Sequence, residues 1–210
     1  MKEKSKPQLS RKERERLRHR QEILDAAEKI FVRKGYHAAT MEEIAQESEF
    51  AVGTLYTVFN GKNDIFNQLI KKAMNEFLSL FFDKVMKEES PDKALEMLVD
   101  IRLDLYTEHH SFFKVAFESI HEVRFDSNLP VPSTIVDHYN DYIENMSQKI
   151  RDGINSGIFI DEDPVFLVLT IDSIIHSFIM YWMWKKPDKS LMDYRQSTKK
   201  IVLKSISKKC

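Results

Sequence analysis

Glycine and proline are scarce in this chain, and most of them stand where a helix would begin or end. The 210 residues include only five Gly and six Pro, whereas strand-rich proteins need many turn residues. Between these positions, apolar residues recur at the three- and four-residue spacing of a helix, and no segment of useful length alternates as a strand does. The pattern therefore predicts an all-α protein of about nine helices.

The capping residues also predict where the helices begin and end. Thr40 and Glu43 have the spacing of a capping box, and Pro91 occupies a favoured first helical position. Gly35 and Gly157 are typical helix ends. The nine predicted helices cover approximately residues 11–34, 40–48, 52–59, 62–87, 91–108, 111–124, 133–155, 164–186 and 191–207. The third is only about two turns long.

Positive charge is concentrated at the N-terminus. Residues 1–20 contain nine Lys or Arg and three Glu, a net charge of +6, and the other 190 residues carry −7. A basic arm on an acidic body indicates an anionic partner, although a solvated, disordered tail has the same composition. The arm lacks the apolar stretch of a signal peptide, and the lone Cys210 excludes an intrachain disulfide. These features predict a cytoplasmic protein.

The segment 165–184 is apolar enough to resemble a membrane helix. It is nearly long enough to span a bilayer, but Asp172 and His176 lie in its middle, and a single span with central ionisable groups is a poor membrane helix. A helix that is apolar on all sides also suits a protein core or an interface between subunits. We therefore predict no membrane association.

Residues 20–62 carry the most specific motif of the chain. Three predicted helices end there in the short one, and a short helix supported by two others is a common way to enter the DNA major groove. The motif residues are Ile23-Leu24, Ala26-Ala27, Phe31, Gly35-Tyr36, Thr40, Ile44-Ala45, Gly53-Thr54-Leu55-Tyr56, Phe59 and Lys62. Their order and spacing resemble the DNA-binding domain of TetR-family transcriptional regulators. The resemblance covers the first third of the chain and implies a basic arm (1–19), a helix-turn-helix DNA-binding domain (20–66), and a ligand-binding and dimerisation domain (67–210).

The resemblance also implies which residues contact double-stranded DNA. Hydroxyls, a lysine and helix N-terminal amides suit phosphate oxygens, and the implied phosphate contacts are Thr40, Thr54, Tyr56 and Lys62. The implied groove-facing residues are Val52, Gly53 and Thr57. Gly53 would let the backbone approach the duplex closely. The apolar residues among them, Ile44, Ala45, Leu55 and Phe59, are expected to hold the three helices together.

Three positions depart from the family pattern. Glu49 replaces a Gly that adopts left-handed geometry, at a cost of about 1 kcal/mol. Ala51 replaces a capping Ser, which is also worth about 1 kcal/mol. Val58 stands where a His is common, which removes one possible phosphate contact. We expect these changes to alter individual contacts and to leave the domain in place.

The larger segment is rich in aromatic residues, which at helical spacing usually form a core. The resemblance implies an inducer pocket among its helices, where nearby polar residues would orient the ligand. The candidate pocket residues are Phe81, Tyr106, Phe113, Phe117, Glu118, His121, Tyr139, Tyr142, Asp172 and His176. Asp172 and His176 share a helix face, and the alternative is that they satisfy each other. The pattern shows no dominant charged clamp, which favours an apolar or amphipathic inducer.

A homodimer is expected, because a single short recognition helix reads too few bases. Family members dimerise through their last two helices, and segment 165–184 is too apolar for solvent; an internal core helix is the alternative. The candidate interface residues are Phe166, Ile174, Phe178, Tyr181, Trp182, Tyr194 and Ile201. The predicted function is a homodimeric repressor that leaves a palindromic operator when a small-molecule inducer displaces the helix beginning at Lys62.

Enzyme motifs are missing from the sequence. It contains no Gly-rich phosphate loop, no nucleophile elbow and no zinc-protease motif, so we predict no catalytic residue, cofactor or metal. Glu118, His121 and Glu122 could face one way as metal ligands, but scattered histidines are weak support for a metal site. The alternative function is a DNA-binding helical adaptor that is regulated by a protein partner and has no small-molecule pocket.

Overall fold

The computed structural model describes residues 10–109, 133–185 and 189–208. The chain divides into two compact units, residues 1–70 and residues 71–210. Within the described ranges there are eight α-helices and no extended strand, which confirms the all-α class. The helices are α1 (Arg11–Lys34), α2 (Met41–Glu47), α3 (Val52–Val58), α4 (Lys62–Leu80), α5 (Pro91–Glu108), α6 (Ser133–Asn155), α7 (Pro164–Lys185) and α8 (Arg195–Ile206). The helix predicted over 111–124 lies outside the described residues.

Reciprocal side-chain caps define where α1 and α2 begin. The Ser10 hydroxyl accepts a hydrogen bond from the backbone N–H of Glu13 (3.2 Å), and the Glu13 carboxylate accepts one from the N–H of Ser10 (2.8 Å). These bonds satisfy amides that would otherwise lack partners, so α1 begins at Arg11 as predicted. Much of the predicted arm is therefore helical. Thr40 and Glu43 form the same pair, which confirms the predicted capping box.

The first unit encloses its own apolar core. Phe31 of α1 lies edge-on against Phe66 of α4 with ring centroids 5.6 Å apart, and both rings are buried. The buried apolar residues of this unit are Ile23, Leu24, Ala26, Ala27, Ile30, Phe31, Tyr36, Ala39, Met41, Ile44, Ala45, Leu55, Phe59, Ile65, Phe66 and Leu69. They include the four residues that were expected to hold the helices together, which confirms that assignment.

In the second unit, α5 is the central helix. It packs against α6, α7, α8 and the turn that follows α4, and Leu95, Leu98, Val99 and Leu103 on it are completely buried. Burying aliphatic side chains on several sides of one helix stabilises the unit by about 1.5–3 kcal/mol for each side chain. α7 packs on α6 and α8, and its other face stays exposed.

Two helices differ from their predicted extent. α4 ends at Leu80 and continues as a π-helical turn over Phe81–Val85. Lys149 of α6 holds this turn, because its ammonium donates to two backbone carbonyls just beyond it. A π-turn adds one residue per turn, which a 3.6-residue periodicity does not predict. Residues 191–194 form a 3-10 turn, so the last α-helix begins at Arg195, later than predicted.

Candidate DNA-binding surface and ligand-binding core

The short helix α3 buries one face and exposes the other. Leu55 is completely buried, and Phe59, which follows the helix, is also buried. The contact residues predicted on this helix all reach the surface: Gly53, Tyr56 and Thr57 are exposed, and Val52 and Thr54 are half-buried. Tyr56 is 56% exposed, although a tyrosine ring gains free energy by burial. The arrangement presents hydroxyls and one glycine on the exposed side of this short helix.

Gly53 has no explanation within the unit itself. Its φ is not in the left-handed region, unlike that of Gly35, Gly61 and Gly157. A Cβ built on Gly53 meets no atom within 4 Å. An alanine would therefore fit there and would favour the helix. The open space leaves the backbone at Gly53 accessible to an external partner.

The turn between α2 and α3 carries the strain expected from its sequence. Glu49 has φ 57°, and among the described residues it is the one non-glycine residue with positive φ. Ala51 precedes α3 without a side-chain cap, as predicted. The end of α3 is secured by Arg20, which the motif analysis did not single out. Its guanidinium lies 4.5 Å from the ring centroid of Phe59 and donates to the Val58 carbonyl (3.3 Å).

Lys62 holds a loop together, which differs from its predicted role. Its ammonium donates to the carbonyls of Tyr36 (2.8 Å), His37 (3.0 Å) and Ala39 (2.8 Å). An ammonium has three N–H donors, so these carbonyls use all of them, and burial lowers the pKa of Lys62. We therefore reassign Lys62 from phosphate contact to the positioning of this loop. Thr40 is exposed, and its hydroxyl accepts the cap bond and so retains a proton for donation.

The second unit contains a polar centre that includes two predicted pocket residues, Tyr142 and Asp172, and one residue that the sequence analysis missed, Arg102. Arg102 of α5 pairs with Asp172 of α7, with 2.9 Å between the guanidinium nitrogen and carboxylate Oδ1. The Tyr142 hydroxyl of α6 donates to the same oxygen at 2.7 Å. The signal was present, since Arg102 lies on the face of α5 that carries Leu98 and Leu105. An arginine on an apolar helix face indicates a buried partner.

Aromatic rings surround this centre. The Arg102 guanidinium lies 5.1 Å from the ring centroid of Phe77 and 5.2 Å from that of Tyr142. Phe77 also contacts Tyr142 edge-on (5.3 Å) and stacks on Phe81 (6.0 Å). Burial raises the pKa of Tyr142, so its hydroxyl stays protonated and donates. The centre therefore combines a cation, an anion, a phenol and an apolar wall contributed by α4 and the π-turn.

The predicted pocket residues are only partly brought together. Phe81, Tyr142 and Asp172 are buried, Tyr106 and His176 are half-buried, and Tyr139 is 40% exposed. Burial raises the pKa of Tyr106 and of Tyr139. Arg102 and Tyr142 both bind Oδ1 of Asp172, and the suggested pairing of Asp172 with His176 stays a prediction. The remaining candidates, Phe113, Phe117, Glu118 and His121, lie outside the described residues, as does Glu122.

The exposed face of α7 is apolar. On this face, Phe166 is 63% exposed and Tyr181 is 53% exposed. Ile201 of α8 is 43% exposed. The other predicted interface residues are half-buried: Ile174, Phe178, Trp182 and Tyr194. An open groove on α7 is lined by Phe166, Leu169, Thr170, Ser173, Ile174 and Ser177.

The hydroxyls in this groove do not make it polar. Thr170, Ser173 and Ser177 each donate to a carbonyl one turn earlier in α7, at 2.7–2.9 Å.

Within the part of the chain that the structure describes, residues 164–183 form the one helix that is long and apolar enough to cross a membrane, and 28% of its most apolar stretch is buried. Its inward side carries Asp172, which is paired inside the protein.

Among the described residues, one group of three potential metal ligands comes together at the end of α5. Glu76, Glu108 and His109 place one donor atom each within 4.8 Å of the others. The His109 ring nitrogen and the Glu76 carboxylate lie 3.1 Å apart, within hydrogen-bonding distance. This contact by itself brings two of the three side chains together.

Comparison with known proteins agrees with this geometry. Residues 23–69 match the family described as bacterial regulatory proteins, tetR family. The fatty acid metabolism regulator protein of Bacillus subtilis is 26% identical over 164 residues, which cover 76% of this chain and 82% of that protein.

Two solved structures share the fold. FadR of Bacillus halodurans, a fatty acid degradation regulator, has a TM-score of 0.75 at 22% identity and covers 88% of this chain and 94% of its own. FadR of Bacillus subtilis in complex with stearoyl-CoA has a TM-score of 0.74 at 23% identity and covers 87% and 97%. The motif, the three-helix unit and these matches agree: residues 23–69 belong to the tetR family of bacterial regulatory proteins, and the chain shares the fold of such regulators.

Proposed function

We propose that this protein is a homodimeric repressor that binds a palindromic operator and leaves it when an amphipathic inducer of the fatty-acyl class occupies the second unit. The observation that carries the proposal is the exposed face of α3, where Gly53 is unconstrained by its own fold and Tyr56 is exposed. A regulator of this kind acts in the cytoplasm, where its operator lies.

On DNA, α3 enters the major groove with Gly53 against the duplex. The hydroxyls of Tyr56, Thr54 and Thr40 donate to phosphates and fix the register, while Val52 and Thr57 meet base edges. Arg20 keeps the end of α3 in place through Phe59 and Val58. Glu49 stands exposed beside this surface, and its charge disfavours sites where a phosphate would come close.

Dimerisation uses the exposed face of α7 together with α8. Its apolar stripe would otherwise remain in water, and monomeric proteins rarely expose large contiguous apolar patches. Thr170, Ser173 and Ser177 are small and internally hydrogen-bonded, so a second helix can approach closely without burying an unsatisfied hydroxyl. A twofold axis through this face pairs the stripe with its copy.

The fatty-acyl class is supported by the core and by the relatives. Phe77, Phe81 and Tyr142 form an apolar wall beside a polar centre, which suits a ligand with an apolar chain and a polar head. The Bacillus subtilis relative is a fatty acid metabolism regulator, and the structure of a similar fold holds stearoyl-CoA.

Release follows from the continuity of α4. This helix begins at Lys62, runs through the boundary between the units and carries Phe77 in its second half. A ligand that repacks Phe77 shifts α4, and Lys62 transmits the shift to the loop after α1, whose carbonyls it binds. The two recognition helices of the dimer then leave the spacing of roughly 34–36 Å that adjacent major grooves require.

Operator binding tests the proposal. Fluorescence anisotropy at near-physiological salt compares the protein's own upstream DNA with a scrambled duplex, with and without stearoyl-CoA. We expect tight binding to the native duplex only, a palindromic footprint, and release by the acyl ligand. Tyr56→Ala should weaken operator binding, whereas Val136→Ala, which alters an exposed residue of the second unit, should leave operator binding unchanged. Equal, salt-sensitive binding to both duplexes would contradict the proposal. Operator binding that no acyl compound changes would support the adaptor alternative.

A further inference from the structure

Arg102 is a largely buried cation, and the packing of the second unit does not explain its charge. It lies on α5 between Leu98 and Leu105, which are sealed from solvent, and pairs with Asp172 at 2.9 Å. A buried ion pair is seldom more stabilising than apolar residues of the same volume, because both charges lose their hydration. A position that could hold an aliphatic side chain holds a charge, which points to a binding role.

Within the described residues, the guanidinium also has unused hydrogen-bonding capacity. It carries five N–H donors in a planar fork, and its described ion-pair contact is with the Oδ1 atom of Asp172, which Tyr142 shares. The Arg102 side chain is 18% accessible and that of Asp172 is 12% accessible. The neighbouring Phe81 and Leu98 are completely sealed. Water therefore reaches the edge of the polar centre, whereas the apolar core around it stays closed to solvent.

We infer that Arg102 is the anchor for the head of the ligand and binds an acyl oxygen, either of a carboxylate or of a thioester carbonyl, through the N–H edges that Asp172 leaves open. This inference rests on the proposed function and names the chemistry that its ligand site recognises. The apolar chain of the ligand runs along Phe77 and the half-exposed ring of Tyr139. Arginine suits this task, because its fork presents parallel donors to a planar oxygen group.

The same geometry rejects cationic heads. The Arg102 guanidinium already faces the rings of Phe77 and Tyr142 at 5.1 and 5.2 Å, which are the ring faces that a quaternary ammonium would need. A second cation there would meet like-charge repulsion in a poorly hydrated site. Asp172 acts as a positioning residue, since it holds the fork in place and balances its charge when the site is empty.

Calorimetric titration of the full chain with four sixteen-carbon ligands, each below its micelle concentration, tests the inference. Palmitate presents a carboxylate, palmitoyl-CoA a thioester, hexadecanol a hydroxyl and hexadecyltrimethylammonium a cation. We expect palmitate or palmitoyl-CoA to bind most tightly, and which of them binds tells the two oxygen sources apart. Preference for the ammonium or the alcohol over both acyl ligands would overturn the inference.

Substitutions then assign the preference to Arg102. Arg102→Met alone leaves Asp172 buried and unpaired, so the informative variant is Arg102→Met with Asp172→Asn, which keeps the pair neutral. Loss of charge-assisted hydrogen bonds should weaken acyl-ligand binding roughly 10- to 100-fold. Arg102→Lys, which keeps the charge and loses the fork, should give an intermediate loss. Arg195→Met is the matched control, because Arg195 also pairs with an aspartate of α5, Asp100.

Ligand-free operator binding separates a failure of the role of Arg102 from a failure of the proposed function. All three variants should retain it, together with a cooperative melting transition, because none alters the first unit. The role of Arg102 would be overturned if the double variant and Arg102→Lys both bind the operator and also bind acyl ligands as tightly as the wild type. The proposed function would be unaffected by that result. If the wild-type protein does not bind the operator, the proposed function itself is contradicted. The acyl titration contains no DNA, so it tests the role of Arg102 independently of that result.

Discussion

Replacing Gly53 with alanine should stabilise the free protein and weaken it as a DNA-binding protein. In the free protein the added Cβ meets no atom within 4 Å, and the backbone there is not left-handed. A glycine inside a helix costs about 0.5–1 kcal/mol relative to alanine, because it loses more conformational freedom on folding. At about 2–4 °C per kcal/mol for a chain of this size, Tm should rise by about 1–4 °C.

On the operator the effect has the opposite sign. If the duplex lies against the backbone of α3, the methyl group must be accommodated in a packed contact, at a cost of about 1–3 kcal/mol. That is roughly a 5- to 150-fold loss of affinity. The assays are thermal unfolding followed by circular dichroism and operator titration by anisotropy, on the same preparation.

Gly157→Ala is the matched control. Its Cβ would also find open space, but Gly157 has φ 74°, where a side chain costs about 1–2 kcal/mol. This variant should therefore lower Tm and leave operator affinity unchanged. If the Gly53→Ala protein is more stable and binds the operator as tightly as the wild type, the close approach of DNA to Gly53 is contradicted, because the duplex would then not require a glycine.

Three further predictions concern other parts of the structure. Lys62→Met should destabilise the protein by about 2 kcal/mol, because three carbonyls lose a charged donor; urea unfolding measures this, and an unchanged midpoint would exclude the loop-holding role. Ile174→Glu should convert the proposed dimer to a monomer in sedimentation velocity, whereas Leu17→Glu, which alters an exposed apolar residue of α1, should not; dimers in both variants would place the interface elsewhere. Burial raises the pKa of Tyr142 in the folded state above its value of about 10 in the unfolded state. The free energy of unfolding should therefore be unaffected by this tyrosine below pH 10 and should fall above pH 10, where the unfolded state loses the proton first. Tyr142→Phe should reduce that alkaline loss in unfolding curves measured from pH 8 to 12, and an identical pH dependence would contradict the assignment.

Several elements were predictable because their causes are local. The beginning of α2 follows from Thr40 and Glu43, three positions apart, and the strain at Glu49 follows from its place in a known turn. The buried face of α3 follows from the spacing of Leu55 and Phe59. In each case neighbouring residues supply the hydrogen bond or the periodicity, so the pattern is visible in the sequence.

The π-turn after α4 and the partners of long polar side chains were not predictable in this way. Lys62 binds a carbonyl 26 residues earlier in the chain, and Asp172 binds Tyr142 across 30 residues. Sequence spacing placed Asp172 beside His176 on one helix face, but it could not show that α5 and α6 bring Arg102 and Tyr142 to the carboxylate.

The all-α class, the ends of most helices and the three-helix motif could therefore be read from the sequence, because caps and hydrophobic periodicity act between near neighbours. Which charges meet in the second unit and which carbonyls accept hydrogen bonds from Lys62 became visible in the folded structure. Those choices depend on how whole helices pack, and packing is set by the burial of apolar surface summed over each unit, which no short stretch of sequence contains.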